Sequence, residues 1–164
     1  MTSKEIVLNA MRIQGRSQGI TDALDLRNRA IDMDATAIIA EDNKIPLFVE
    51  GKDYSSWPKG SPIGQIVDGE LYIFTIITPV NTAHYPGITP YTERSLFSLC
   101  HTKDPVKAKP FLPSLGISGM WMIDEVCTKD GHVWKSLKDN HSFAPNEVGT
   151  TDYWEDLGSI SLYQ

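Results

Sequence analysis

The run Asp130-Gly131-His132-Val133-Trp134 lies inside residues 119–158, the stretch that decides the fold of this chain. Asp-Gly beside alternating apolar residues is a strong signal for a two-residue β-hairpin, because both central positions of a type I′ turn need positive φ. Asn140, Pro145 and the closing run Tyr153-Trp154-Glu155-Asp156-Leu157-Gly158 follow the turn. The pattern predicts a very small, aromatic-rich antiparallel β-module.

A weaker copy of this pattern lies upstream. It consists of Asp68-Gly69-Glu70-Leu71-Tyr72, then Asn81 and Pro86, then Ser95-Leu96-Phe97-Ser98-Leu99. The two turns are 62 residues apart but the Asn and Pro pairs are 59 apart, so the first copy has three extra residues between hairpin and loop. An internal repeat with a loop-sized insertion indicates a duplicated fold. A duplicated module suggests a duplicated task such as binding.

Composition shifts and Pro/Gly clusters divide the chain into four parts. We expect an N-terminal helical segment over 1–45, a first β-module over 46–102, a Pro/Gly-rich linker over 103–118 and a second β-module over 119–164. The predicted fold class is therefore mainly β with an N-terminal α-helical segment, built on two small duplicated antiparallel β-modules. The continuous apolar run Leu71 to Ile77 predicts a strand that is covered on both faces.

Two helices are predicted in the N-terminal segment. The first covers residues 3–15 and is interrupted by Gly15 and Gly19, and the second is capped by Thr21 or Asp22. The second helix has two apolar stripes, which must be covered either by the β-modules or by copies of the chain in an oligomer. The candidate oligomerisation stripe is Leu24, Ile31, Ala35 and Ile38, and the adjoining stripe is Leu26, Ala30, Met33 and Ala37.

Charge and hydropathy exclude several classes of partner. The 164-residue chain has a formal net charge of -6 and no basic stripe, which argues against nucleic acid. It has no apolar run near the roughly 18 residues of a membrane span, and no signal-peptide pattern. Cys100 and Cys127 lack metal or redox spacing, so we expect two buried thiols, with a disulfide as the alternative.

Aromatic side chains are the candidate binding residues, because a flat ring face can stack on the C–H side of a sugar. The competing interpretation is that so small a domain needs these side chains for its core. We expect Tyr72 and Trp154 in the core, and Tyr54, Trp57 and Tyr153 to be the most exposed. The candidate carbohydrate-binding residues are Tyr54, Trp57, Trp121, Trp134, Asn140, Asp152 and Tyr153.

Patterns that indicate catalysis or a metal site are missing from the sequence. The four histidines have no metal-ligand spacing, and no cofactor motif occurs. The pairs Asp124-Glu125 and Glu155-Asp156 are adjacent on predicted strands and so point to opposite faces. Cys127 and His132 flank the second hairpin and could approach each other there. A cysteine buried in the core explains Cys127 equally well. We expect no enzymatic activity, no cofactor and no metal.

Two resemblances add to this reading. Trp57-x-x-Gly60-x-x-Ile63, Gly131-x-x-Trp134 and the closing Trp154 resemble the chitinase-type carbohydrate-binding modules of families 5 and 12 in miniature. The first copy departs from that pattern by ending on Phe97, and the second by having Met120 and Ile123 in place of the opening aromatic and glycine.

The second resemblance covers roughly residues 34–157. The segments Asp34 to Ala40, His84 to Gly87, Leu99 to Thr102 and Ser118 to Met122 are similar to small proteins encoded near the tail genes of phages and prophages of Gram-positive gut bacteria. What it implies is a virion component whose modules face outward and whose N-terminal helices join the particle. Taken with the candidate binding residues, this predicts a non-catalytic virion protein, made in the host cytoplasm, that binds host-surface carbohydrate.

The expected partners are other virion proteins, a host cell-surface glycan and copies of the chain itself, with a trimer favoured. The alternatives are a structural tail, baseplate or capsid-decorating protein that uses the modules for protein docking, and a cell-wall hydrolase fragment.

Overall fold

The structure is a computed structural model that describes residues 18–116 and 118–164. The helix predicted over residues 3–15 lies outside these residues. The described chain starts in helix α1, residues 18–29, which continues into a 3-10 turn at Ala30–Asp32. A second helix, α2, covers Ala35–Ala40 and is followed by a 3-10 turn at Asp42–Lys44.

Two predictions about the N-terminal helices are wrong. Residue 18 is already helical, so Gly19 lies inside α1 and neither Thr21 nor Asp22 begins it. The second predicted helix is in fact two, because Asp34 has extended backbone angles and caps α2 by accepting a 2.8 Å hydrogen bond from the Ala37 amide. An aspartate side chain that binds a nearby backbone N–H favours a helix start over a helix interior.

The break between α1 and α2 divides each of the two predicted apolar stripes. Leu26 of α1 and Ala30 of the following 3-10 turn are buried with Ile38 of α2 and Ile73 of the first sheet. The candidate oligomerisation residues therefore have different surroundings: Leu24 and Ile31 are 49% and 66% exposed, Ala35 is half-buried, and Ile38 is buried in the core. Ile38 cannot share an exposed stripe with Leu24, because the break turns it toward the sheet.

The first sheet contains three antiparallel strands in the order β1 (Pro62–Val67), β2 (Glu70–Ile76) and β3 (Phe97–Leu99). The turn between β1 and β2 has φ of 51° at Asp68 and 81° at Gly69, as a type I′ turn requires. Side chains of β2 enter one core with Phe74 and another, under α1, with Ile73. The prediction that this strand is covered on both faces is confirmed.

The second sheet repeats the arrangement with β4 (Val126–Lys129), β5 (His132–Ser136) and β6 (Trp154–Ser159). Asp130 and Gly131 have φ of 51° and 77° in its hairpin turn. The core of this sheet is formed by Trp121, Cys127 and Trp154. The predicted fold class, mainly β with an N-terminal helical segment and two antiparallel sheets, is confirmed.

The two hairpins end in the same way. The Ile77 amide donates to the Leu96 carbonyl at 2.8 Å, and the Leu137 amide donates to the Tyr153 carbonyl at 2.8 Å. Both bonds follow directly after the middle strand of their sheet. β2, the middle strand of the first sheet, is two residues longer than β5, the middle strand of the second. Two of the three extra residues of the first copy therefore lengthen β2, and the third lies in the connection from β2 to Asn81.

The Pro/Gly-rich segment 103–118, predicted as a linker, is bonded to both sheets. The Phe111 amide donates to the Thr128 carbonyl on β4 at 2.9 Å, and the Thr128 amide donates to Lys109 at 2.9 Å. The Tyr72 hydroxyl of β2 donates to the Pro110 carbonyl at 2.9 Å. This segment therefore ties the outer edge of β4 to the first sheet.

The predicted exposure of Tyr54 and Trp57 is wrong: they are only 1% and 9% exposed. The Tyr54 hydroxyl accepts a 2.9 Å hydrogen bond from the Val49 amide. The Trp57 ring packs edge-on against Tyr54 and is covered by the Arg27 guanidinium, 3.6 Å from the ring centroid. Tyr72 and Trp154 are buried as predicted.

The burial of Trp57 yields a stability prediction. We expect Trp57→Ala to lower the free energy of unfolding by about 3–5 kcal/mol, as large-to-small substitutions of buried aromatics do. The measurement is urea unfolding followed by circular dichroism. Phe143→Ala, at a side chain that is 47% exposed, is the matched control and is expected to change stability by less than about 1 kcal/mol. Equal losses for both variants contradict the assignment of Trp57 to the core.

Candidate functional site

A partly exposed aromatic pair lies on the second module, where the loop 137–152 meets the start of β6. The ring centroids of Phe143 and Tyr153 are 4.5 Å apart, and the Lys138 ammonium lies 4.5 Å from the Tyr153 ring centroid. Phe143 is 47% exposed, Tyr153 is half-buried, and Asp152 beside it is exposed. We call Lys138, Phe143, Asp152 and Tyr153 the Tyr153 patch.

His141 holds the loop beneath this patch. Its backbone forms a two-way bridge with Trp121, with N···O distances of 2.8 and 3.2 Å. The Ser136 hydroxyl donates to the Lys138 carbonyl at 2.8 Å, so His141 Nε2, 2.7 Å away, must carry the proton and donate to the Ser136 oxygen. Burial, followed by the charge of Lys138, lowers the His141 pKa. The imidazole is thus held neutral in one tautomer.

Trp154 supplies the second anchor of the loop. Its indole N–H donates to the Phe143 carbonyl at 2.8 Å, and its ring is buried beside His141 at a centroid distance of 5.3 Å. These bonds fix the backbone of Phe143 even though its side chain faces solvent. A preorganised platform loses less conformational freedom when a ligand binds, and that loss is one of the costs of binding.

The remaining carbohydrate-binding candidates are dispersed. Trp121 is buried between His101 and Phe111, with stacked centroids at 3.5 and 5.7 Å. Trp134 is half-buried on β5, and its indole N–H donates to the Lys129 carbonyl at 3.0 Å. Only Asp152 and Tyr153 of the predicted set lie in the patch. Sequence reasoning missed Phe143, whose signal was an aromatic residue inside a polar loop.

Asn140 lies apart from the patch, on a groove of about 440 Å³ between the helical segment and the second module. The same groove is lined by Ile31, Ala35 and Ile38, so the structure groups Asn140 with predicted oligomerisation residues. Glu125 also lines it and accepts a 2.7 Å hydrogen bond from the Met122 amide. Burial raises the pKa of Glu125 to about 7.

His101 joins the two modules at the inner end of this groove. Its ring stacks on Trp121, and its Nε2 lies 2.8 Å from the Gly119 carbonyl, which can only accept, so Nε2 carries the proton. Burial, opposed by the Gly119 hydrogen bond and aided by the nearby Arg94 charge, lowers the pKa of His101 to about 4. The imidazole is neutral at physiological pH.

Except for Asp124, which is exposed, the groups considered for catalysis are paired or at least half-buried. Glu155 forms a 3.2 Å ion pair with Lys135, whereas Asp156 contacts His132 Nδ1 at 2.8 Å. Cys127 is buried and unbridged, and burial raises its thiol pKa. Within residues 18–116 and 118–164, no group of three histidine, cysteine or carboxylate side chains is placed to hold a metal ion. No helix in that part of the chain is long and apolar enough to cross a membrane.

No family model matches the chain, and no curated protein matches it.

The pKa shifts of His101 and Glu125 predict opposing pH effects. Unfolding returns His101 to a pKa of 6.5, so its contribution to stability is complete above pH 6.5 and is lost as the pH falls toward 4. Unfolding returns Glu125 to 4.5, so its contribution is complete below pH 4.5 and is lost as the pH rises toward 7. Between pH 4.5 and 6.5 the two effects offset each other.

Glu125→Gln removes one of these effects. In this variant only the His101 effect remains. We therefore expect its free energy of unfolding to fall, between pH 6.5 and pH 4, by about 3 kcal/mol more than that of wild type, in which the two effects offset each other. Urea unfolding at a series of pH values measures this, with the exposed Glu50→Gln as the control. A variant whose pH profile is parallel to that of wild type contradicts the assignment.

Proposed function

We propose that the protein is a non-catalytic component of a phage or phage-like particle that binds host-surface carbohydrate through the Tyr153 patch. The observation that supports this most strongly is the pairing of an exposed Phe143 with Tyr153 on a loop anchored from below by His141 and Trp154. An aromatic side chain with no role in the core and a fixed backbone is suited to contact a ligand.

The chemistry around the pair fits a sugar. Two rings provide an apolar surface for the C–H face, and the Tyr153 hydroxyl, Lys138 and Asp152 provide donors and acceptors for hydroxyl groups. Opposite charges on Lys138 and Asp152 suit a neutral or weakly charged saccharide better than a strongly anionic polymer. The Phe143 ring is 47% exposed and Asp152 is exposed, so single-site affinity is expected to be weak.

Several copies on one particle make weak sites effective through avidity. Leu24 and Ile31, two of the predicted oligomerisation residues, are exposed on α1 and the turn after it, and Ile20 is 70% exposed one helical turn before Leu24. We propose that these three side chains form the contact between copies, with a trimer favoured.

The same apolar stripe supports a second candidate function, a structural tail, baseplate or capsid-decorating protein. In that case Ile20, Leu24 and Ile31 contact a different virion protein, and the Tyr153 patch has no sugar to bind. A cell-wall hydrolase fragment is the third possibility, and one assay separates all three.

The assay is co-sedimentation with purified Gram-positive cell walls. We expect wild type to bind intact walls, and Phe143→Ala with Tyr153→Ala to reduce the bound fraction at least about fivefold, because both ring faces are removed. The matched control is Leu162→Ala, at a side chain that is 70% exposed away from the patch. Release of soluble wall fragments supports hydrolysis, and no binding by wild type supports the structural role.

A second measurement tests the contact between copies. We expect Leu24→Asn with Ile31→Asn to convert the assembly to monomers in sedimentation velocity, because exposed apolar area is what holds the copies together. Leu162→Asn has comparable exposure and is expected to leave the assembly unchanged. A wild-type monomer at micromolar concentration contradicts this part of the proposal.

A further inference from the structure

The first module has an open cleft between its long polar loop and the start of β3. The cleft has a volume of about 440 Å³, within the range of about 300–1,000 Å³ typical of small-ligand sites. Its lining combines apolar and polar side chains, among them Val80, Tyr85, Ile88, Glu93, Ser95 and Leu96. We call this the Tyr85 cleft.

Tyr85 is the prominent side chain of the cleft. It is 56% exposed, and its hydroxyl has no hydrogen-bond partner among the described residues. Its backbone is fixed nevertheless, because the Tyr85 amide donates to the Thr82 carbonyl at 3.1 Å in a 3-10 turn that Asn81 caps. The ring is therefore an exposed platform on an ordered loop, as Phe143 is in the second module.

A carboxylate lies on the polar side of the cleft. Glu93 accepts a 2.7 Å hydrogen bond from the Ser95 hydroxyl, which orients it, and the Leu96 amide donates to the Glu93 carbonyl at 3.1 Å. Glu93 is half-buried and forms no ion pair with any described residue. It can accept hydrogen bonds from hydroxyl or amide groups of a ligand that lies on Tyr85.

The Tyr85 cleft occupies the same place in the first module as the Tyr153 patch in the second. Leu96 and Tyr153 accept the same backbone hydrogen bond, the one that follows the middle strand of each sheet. Tyr85 stands four residues after Asn81, and Phe143 stands three residues after Asn140. Both loops are also bridged at their base, at Asp53 with Asn81 and at Trp121 with His141.

We propose that the Tyr85 cleft is a second carbohydrate-binding site, specific for an uncharged sugar. Stacking on Tyr85 and hydrogen bonds to Glu93 are its basis, and the Glu93 carboxylate excludes sugars that bear acidic groups. The inference extends the proposed function, on which its choice of ligand class rests. Two sites on one chain increase avidity without any contact between copies.

The test uses the full-length ¹⁵N-labelled chain titrated with chitotetraose, an uncharged tetramer of N-acetylglucosamine. We expect amide shifts to change in two separate groups, residues 78–96 and residues 138–153. Tyr85→Ala is expected to weaken binding at the first group about tenfold or more and to leave the second unchanged. Tyr85→Phe keeps the ring face and is expected to stay within about threefold of wild type.

Each result decides between the two sites, once the dispersed amide spectrum of every variant shows that it is folded. Shifts confined to residues 138–153 overturn the second site and leave the proposed function standing. Shifts confined to residues 78–96 support the Tyr85 cleft and contradict the role of the Tyr153 patch. No shift in either group at millimolar chitotetraose overturns both.

Discussion

The two Asp-Gly turns are the constraint on which the rest of the structure depends. All four residues have φ between 51° and 81°, and such turns set strand register because a slip of one residue moves every side chain to the opposite face. With register fixed, Phe74 and Cys127 face their cores, and both hairpins end in the same backbone bond to Leu96 or Tyr153. Tyr85 and Phe143 lie in the loops that these two bonds close.

Local sequence signals predicted what is local in the fold. The sequence was sufficient to predict the hairpins, the β2 strand with both faces covered, and the burial of Tyr72 and Trp154, because turn residues and apolar runs specify them directly. The burial of Trp57 could not be predicted in this way, since it depends on Arg27, a residue 30 positions away on a helix. The break at Asp34 was missed because the apolar spacing continues across it, and the Asp34 cap outweighs that spacing. Tertiary packing likewise decided which aromatics face solvent.

In small sheets the large aromatic side chains are needed for the core and are also the groups suited to contact a ligand. Here the tryptophans serve the cores: Trp57, Trp121 and Trp154 are buried and Trp134 is half-buried. The exposed rings are those that the polar loops carry, Tyr85 and Phe143. In the proposed function, the loops and not the strands carry the rings that contact a ligand. His141 and Thr82 anchor the two loops, so the backbone at each ring is held in place although the ring itself is not part of a core.

The central claim is that a sugar lies with its C–H face on the Phe143–Tyr153 pair. Saturation-transfer difference NMR, with the aromatic resonances irradiated and soluble fragments of Gram-positive cell wall as ligand, tests it most directly. The account predicts that sugar ring protons receive saturation from wild type. In the triple variant Phe143→Ala, Tyr153→Ala, Tyr85→Ala, which lacks the rings of both proposed sites, it predicts that this transfer falls to background. Transfer that persists in that triple variant, or that is absent from wild type, contradicts it.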